Sequence, residues 1–136
     1  MRILALDVGD VRIGLAISDP MQILANPLET YRRTGKIEQD AAYVANLVKE
    51  REVGRIVCGW PKSMNNTENE QTRKTKEFAD VLATKTDVPM VFMDERLTTV
   101  SATRVLIDGG VRREDRKKVV DKIAATIILE DYLRTL

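Results

Sequence analysis

Three acidic positions stand in apolar surroundings. Asp7 interrupts the run Ile3-Leu4-Ala5-Leu6-Asp7-Val8, and Asp94-Glu95 closes Val88-Pro89-Met90-Val91-Phe92-Met93. Asp121 falls in line with Ala125, Ile128 and Tyr132 at helical spacing. An ionised carboxylate in an apolar setting is costly unless a counter-charge offsets it. With no His and a single Cys in the chain, a counter-charge common to all three would be a hard divalent cation held by oxygen ligands. Such a centre would act on phosphate. Each acid also has a plainer explanation. Asp7 can cap the turn at Gly9, Asp94-Glu95 can terminate a strand, and Asp121 can pair with Lys117 or Lys118 one turn earlier. One shared cluster accounts for all three placements together.

The elements that must carry these acids are readable in outline. Residues 2–8 are apolar on both alternating faces, as expected of a buried strand, with Ile3, Ala5 and Asp7 on one face. Gly9-Asp10 offers a turn, and Ile13 to Ile17 forms a second strand folded back on the first. A third extended stretch covers about 23–31, where Pro27 suits an edge. From Lys36 to Arg51, Ile37, Ala41, Val44, Leu47 and Val48 recur at helical spacing, and Gly54 is the expected stop. Arg55 to Trp60 is a short buried strand, and Trp60 is expected to serve ordinary packing. A polar, Asn-rich loop, Pro61–Asn69, follows; it is expected to close over a substrate. Then come a helix from about Glu70 to Thr84, a strand from Val88 to Asp94 and a short helix at Thr99–Asp108, where Thr98 or Thr99 serves as cap. Gly109-Gly110 ends that helix, and a long one runs from Glu114 to Leu133. The order β-β-β-α-β-α-β-α-α predicts an α/β protein with a mixed five-stranded sheet and helices on its faces, in a single domain over 1–136.

Composition narrows the function classes. Hydrophobic residues at 43% exclude a disordered chain, and charged residues at 32% give a well-solvated exterior. Net charge is 22 − 21 = +1, so a polyanionic partner must be recognised locally. Arg112, Arg113, Arg116, Lys117, Lys118 and Lys122 supply such a cluster around Asp121. Aromatic residues are only 4%, which favours backbone recognition over base stacking. The lone Cys58 excludes an intrachain disulfide, and no leader or membrane-spanning run is evident, so a cytoplasmic protein with no membrane partner is expected. Catalytic triads that need His are excluded, as are the usual zinc sites.

Four segments in order carry a family resemblance across essentially the whole chain. They are Arg2 to Asp19, Gly59-Trp-Pro61-Lys-Ser-Met-Asn65, Asp94-Glu95-Arg96-Leu97-Thr98-Thr99 and Lys117-Lys118-Val-Val-Asp121-Lys122-Ile-Ala-Ala125. Together they resemble the YqgF or RuvX-type proteins, a family described as pre-16S rRNA nucleases and Holliday junction resolvases. One departure is Asn66, where the family often has Gly; Asn tolerates the left-handed conformation better than most residues. The resemblance implies a ribonuclease H-like fold and a metal-dependent nuclease. It implies that Asp7, Glu95 and Asp121 are the catalytic carboxylates and hold Mg²⁺ or Mn²⁺, for in-line cleavage of a phosphodiester. Arg96, Lys117, Lys118 and Lys122 are the candidate nucleic-acid contacts.

The expected partner is therefore nucleic acid, pre-rRNA ahead of branched DNA, bound by a monomer or a homodimer. Symmetric junction cleavage would require two active sites and so a dimer. Two other classes compete. Asp7-Val8-Gly9 with Gly14 is also similar to a phosphate loop of actin-like ATPases, but those need a second lobe that 136 residues do not supply. A non-catalytic nucleic-acid binder would not need the three acids.

Overall fold

The computed structural model describes residues 1–60, 70–94 and 113–136; the side chains of Asp94 and of 113–122 are outside that description. Everything is organised around β1 (Arg2–Val8), whose alternating side chains are apolar on both faces. Ile3, Leu4, Ala5 and Leu6 are all essentially inaccessible to solvent. A strand buried on both sides must lie at the centre of a sheet, and β1 does. The order is β3-β2-β1-β4-β5, with β2 at Arg12–Ser18, β3 at Ala25–Arg32, β4 at Val53–Trp60 and β5 at Met90–Asp94. β1 pairs antiparallel with β2, and β2 with β3. β1 pairs parallel with β4, and β4 with β5. The expected mixed five-stranded sheet is thus present. Pro27 lies on edge strand β3 beside a register shift, where its missing N–H disturbs no central ladder.

Helices cover the two faces. On one, α1 (Ile37–Glu50) and α2 (Glu70–Ala83) bury Val44, Leu47, Phe78 and Leu82 against Leu4, Leu6, Ile13 and Ile56. On the other, α3 (Arg113–Leu133) packs Ala124, Ala125, Ile128 and Leu129 onto Ile3, Ala5, Ala16 and Val57. Small residues, Ala on both sides, let α3 lie close to the sheet. At about 25 cal/mol per Å² of apolar area, these two layers are the main stabilising term. The helix expected at Thr99–Asp108 and the Pro61–Asn69 loop fall outside the described residues.

One stop signal is made differently from expectation. Gly54 lies inside β4, and the left-handed residue after α1 is Glu52, with φ 55°. Arg51 N–H donates to the Leu47 carbonyl and Glu52 N–H to the Lys49 carbonyl, which closes the helix without glycine. Gly54 is needed for space instead, because a Cβ there would come within 2.7 Å of the Met1 Cβ. Trp60 packs edge-on against Phe92, with ring centroids 4.9 Å apart. No described helix is long and apolar enough to cross a membrane.

Cys58 lies wholly inside the α1/α2 layer, and burial pushes its thiol up to about 12. Ellman's reagent is therefore expected to label native protein on the order of a thousandfold more slowly than urea-unfolded protein. Rapid labelling of the native chain would contradict this core.

Candidate active site

The C-terminal ends of β1, β4 and β5 meet at one edge of the sheet, the edge where open α/β sheets hold ligands. Asp7 follows Ile3 and Ala5 on the α3-covered face and is half-buried there. Leu6 pairs with Cys58, and Cys58 with Phe92. Asp94 pairs with Trp60, further along in the same strand direction. Asp7 and the end of β5 are thus separated laterally by β4 alone.

α3 packs over the Asp7 face of β1. Near its C-terminal end, Tyr132 accepts a hydrogen bond from Arg55 Nη1 at 2.7 Å, and Arg55 pairs with Ile3 at the start of β1. Counting back along the helix from Tyr132 to Asp121 covers roughly 16 Å at 1.5 Å per residue. Counting along β1 from Ile3 to Asp7 covers about 13 Å at 3.3 Å per residue. In the helix that covers the Asp7 face, position 121 thus stands about as far along the axis from Tyr132 as Asp7 stands from Ile3 along β1. The side chains of Lys117, Lys118, Asp121 and Lys122 lie outside the described residues, as do Glu95 and Arg96 altogether. Among the described residues no cluster of three metal-ligating side chains occurs.

The main chain beyond Asp7 is held from the opposite face. Gln71 Nε2 of α2 donates to the Val8 carbonyl at 2.6 Å. Arg33 Nη1 donates to the Gly9 carbonyl at 2.9 Å, and Gly9 N–H donates to the Arg12 carbonyl at 2.8 Å. Gly9 is required by close approach, since a Cβ would lie 2.7 Å from that Arg12 oxygen. Lys74 Nζ of α2 meets Asp10 Oδ1 at 3.0 Å. Each residue from Val8 to Asp10 is therefore tied to an element outside β1, so the turn behind Asp7 is pre-organised.

Arg33 is itself anchored by Asp40, a wholly buried carboxylate on α1. Asp40 accepts from Arg33 Nε at 3.2 Å, Tyr31 Oη at 2.9 Å, Thr34 N–H at 3.0 Å and Thr34 Oγ1 at 3.0 Å. Burial alone would raise its pKa; the bonds from Thr34, Tyr31 and Arg33 outweigh burial and hold the carboxyl below its ordinary 3.8. The Arg33 guanidinium also sits over the Phe78 ring, 5.3 Å from its centroid. Sequence reasoning missed this network. Its signal was present: Asp40 stands one turn before Val44 in the apolar stripe of α1, the same anomaly that singles out Asp121.

A sheet of this order, with antiparallel β1–β3, parallel β4 and β5, and helices on both faces, defines a ribonuclease H-like protein. In solved structures it is similar to "T. thermophilus RuvC in complex with Holliday junction substrate", with TM-score 0.63 and 14% identity over 99% of this chain and 96% of that one. At that identity the likeness shows the fold. The chain belongs to the RuvX family, whose model, described as "Holliday junction resolvase", matches residues 1–135. Relatives include a protein of Agathobacter rectalis that is 49% identical over 135 residues, 98% of this chain and 94% of the relative. Another, from Clostridium acetobutylicum, is 44% identical over 136 residues, the whole of both chains. Both relatives carry the description "Putative pre-16S rRNA nuclease".

Replacing Asp40 with Ala should cost about 3–5 kcal/mol in urea unfolding at pH 7, because Arg33 is left half-enclosed without its counter-charge. The sign with pH is set by the lowered pKa. Asp40 stabilises fully above the unfolded carboxylate range, and the contribution disappears as pH falls through its lower folded value. The gap between wild type and Asp40→Ala should therefore narrow only in acid. A gap that persisted unchanged to pH 2 would refute the charge-paired account.

Proposed function

We propose that the chain is a divalent-metal-dependent nuclease that hydrolyses phosphodiester bonds in 5′-end processing of pre-16S rRNA. The observation that carries this reading is Asp7. It is a half-buried carboxylate at the C-terminal end of the central strand, on the face covered by α3. Relatives matched over nearly their whole length, with the description "Putative pre-16S rRNA nuclease", support the substrate class. In this reading residues 1–136 act as one domain in the cytoplasm, as a monomer or homodimer.

The donor chemistry fits Mg²⁺ or Mn²⁺. Asp7, Glu95 and Asp121 offer only oxygen, the chain has no His, and its one thiol is buried in the layer on the other side of the sheet. When bound, the ion supplies activation of water and charge neutralisation on phosphate oxygens. The three carboxylates Asp7, Glu95 and Asp121 would hold that ion. The tied main chain at Val8 and Gly9 keeps Asp7 in place without reorganisation during the reaction. Arg96, Lys117, Lys118 and Lys122 bind phosphates flanking the cleaved bond.

Cleavage of a labelled 16S precursor 5′-leader RNA and of a four-way DNA junction, each with Mg²⁺, Mn²⁺ or chelator, tests this. Wild type is expected to cut the RNA only with metal, and Asp7→Asn to lose activity on the order of a hundredfold or more with its fold intact. Junction cutting alone would transfer the substrate to branched DNA, the activity in the family model's description. Equal inactivity of wild type and Asp7→Asn on both substrates would overturn the nuclease reading.

A further inference from the structure

Arg12 and Arg32 are directly opposed cross-strand partners at the end of the β2–β3 ladder nearest Asp7. Their face follows from the register. Gly14 pairs with both Asp7 and Thr30, and Ala16 packs in the α3-covered core. Arg12, two residues before Gly14, and Arg32, two after Thr30, therefore share the Asp7 face. Tyr31, between Thr30 and Arg32, stacks on Tyr43 of α1 on the opposite face, which confirms the alternation.

Like charges placed directly opposite each other in a sheet are destabilising. Among the described residues neither guanidinium forms an ion pair. Of the described acids, Asp7 shares their face, Asp10 is engaged by Lys74, and Asp40 and Glu29 are engaged on the opposite face by Arg33 and the Tyr43 hydroxyl. Arg32 is exposed and Arg12 half-buried.

Position relative to Asp7 gives the pair a use. Arg12 also closes the turn behind Asp7 through its carbonyl, which ties its position to that strand end. With strands about 4.8 Å apart and 3.3 Å per residue, the Arg12 Cα lies roughly 8 Å from that of Asp7, and the Arg32 Cα roughly 12 Å. Gly14, beside Asp7 on the adjacent strand, places no side chain on this face.

We propose that Arg12 and Arg32 form a phosphodiester-binding row that carries one nucleic-acid strand away from Asp7 across β2 and β3. The bound backbone supplies the anions that the opposed guanidiniums lack, and each Arg binds one non-bridging phosphate pair without reading sequence. The proposal rests on the nuclease reading for Asp7 and adds the direction of the substrate path.

The test is fluorescence anisotropy of a labelled 16S precursor 5′-leader RNA, titrated with Arg12→Gln, Arg32→Gln and the double variant in chelator to prevent turnover. At 0.1 M salt each loss of one phosphate contact should weaken binding about fivefold, and the slope of log K against log salt should become shallower by about 0.7 per Arg. Melting temperature should hold or rise, because the opposed charges are removed. Arg32→Lys, which keeps the charge on an exposed side chain, should retain the wild-type salt slope. Variants with wild-type affinity and slope would overturn the row while leaving RNA binding by the protein intact. A lowered melting temperature with unchanged slope for Arg32→Gln would make the pair structural and also overturn it. Failure of wild-type protein to bind the RNA or a four-way DNA junction would instead count against the nuclease reading itself.

Discussion

Burial of β1 on both faces is the constraint from which the rest follows. A strand with Leu4 and Leu6 on one side and Ile3 and Ala5 on the other requires a helical layer above and below it. α1 and α2 supply one layer and α3 the other. Once β1 is central, its C-terminal end opens at an edge shared with β4 and β5. An acid at that end is partly enclosed by the sheet yet reachable by a ligand. The position of Asp7 is therefore a consequence of where the apolar strand stops.

Two buried-charge problems are solved in two ways. Asp40 is wholly enclosed, and the protein neutralises it internally with Arg33 while Thr34 and Tyr31 occupy its remaining acceptor positions. That arrangement is satisfied and inward-looking. It transmits rigidity through Arg33 to the Gly9 carbonyl, immediately beyond Asp7. Asp7 sits on the other face, half-buried at a strand end. A structural ion pair thus supports the turn behind an acid suited to a ligand. Both roles use the same residue type; enclosure and partner separate them.

The family assignment and the fold speak to different questions. The match over residues 1–135 fixes kinship, and likeness to a solved RuvC at 14% identity fixes architecture. Neither decides which nucleic acid is cut, because a ribonuclease H-like sheet presents the same strand ends to RNA and to branched DNA. The surface around Asp7 includes the opposed arginines of β2 and β3.

Much of the architecture was legible because it depends on periodicity. Alternation over Arg2–Val8, the helical repeat over Ile37–Glu50 and the polar turn at Gly9-Asp10 each dictate an element from neighbours in sequence. The prominence of Asp7 was legible for the same reason, as a break in a local pattern. Gly54 misled, since a glycine after a helix suggests a stop, whereas its use here is to admit Met1 from a distant part of the chain. Asp40 and Arg33 were invisible as a pair because they belong to different elements and only packing brings them to 3.2 Å. The opposed Arg12 and Arg32 were hidden likewise, since a bulge near Pro27 sets which residue of β3 faces which residue of β2. Sequence by itself determined which residues are apolar, roughly where the described strands and helices lie, and that Asp7 is anomalous. Tertiary structure alone decided which charges meet, because pairing depends on register and packing between segments that the local pattern leaves free to slide.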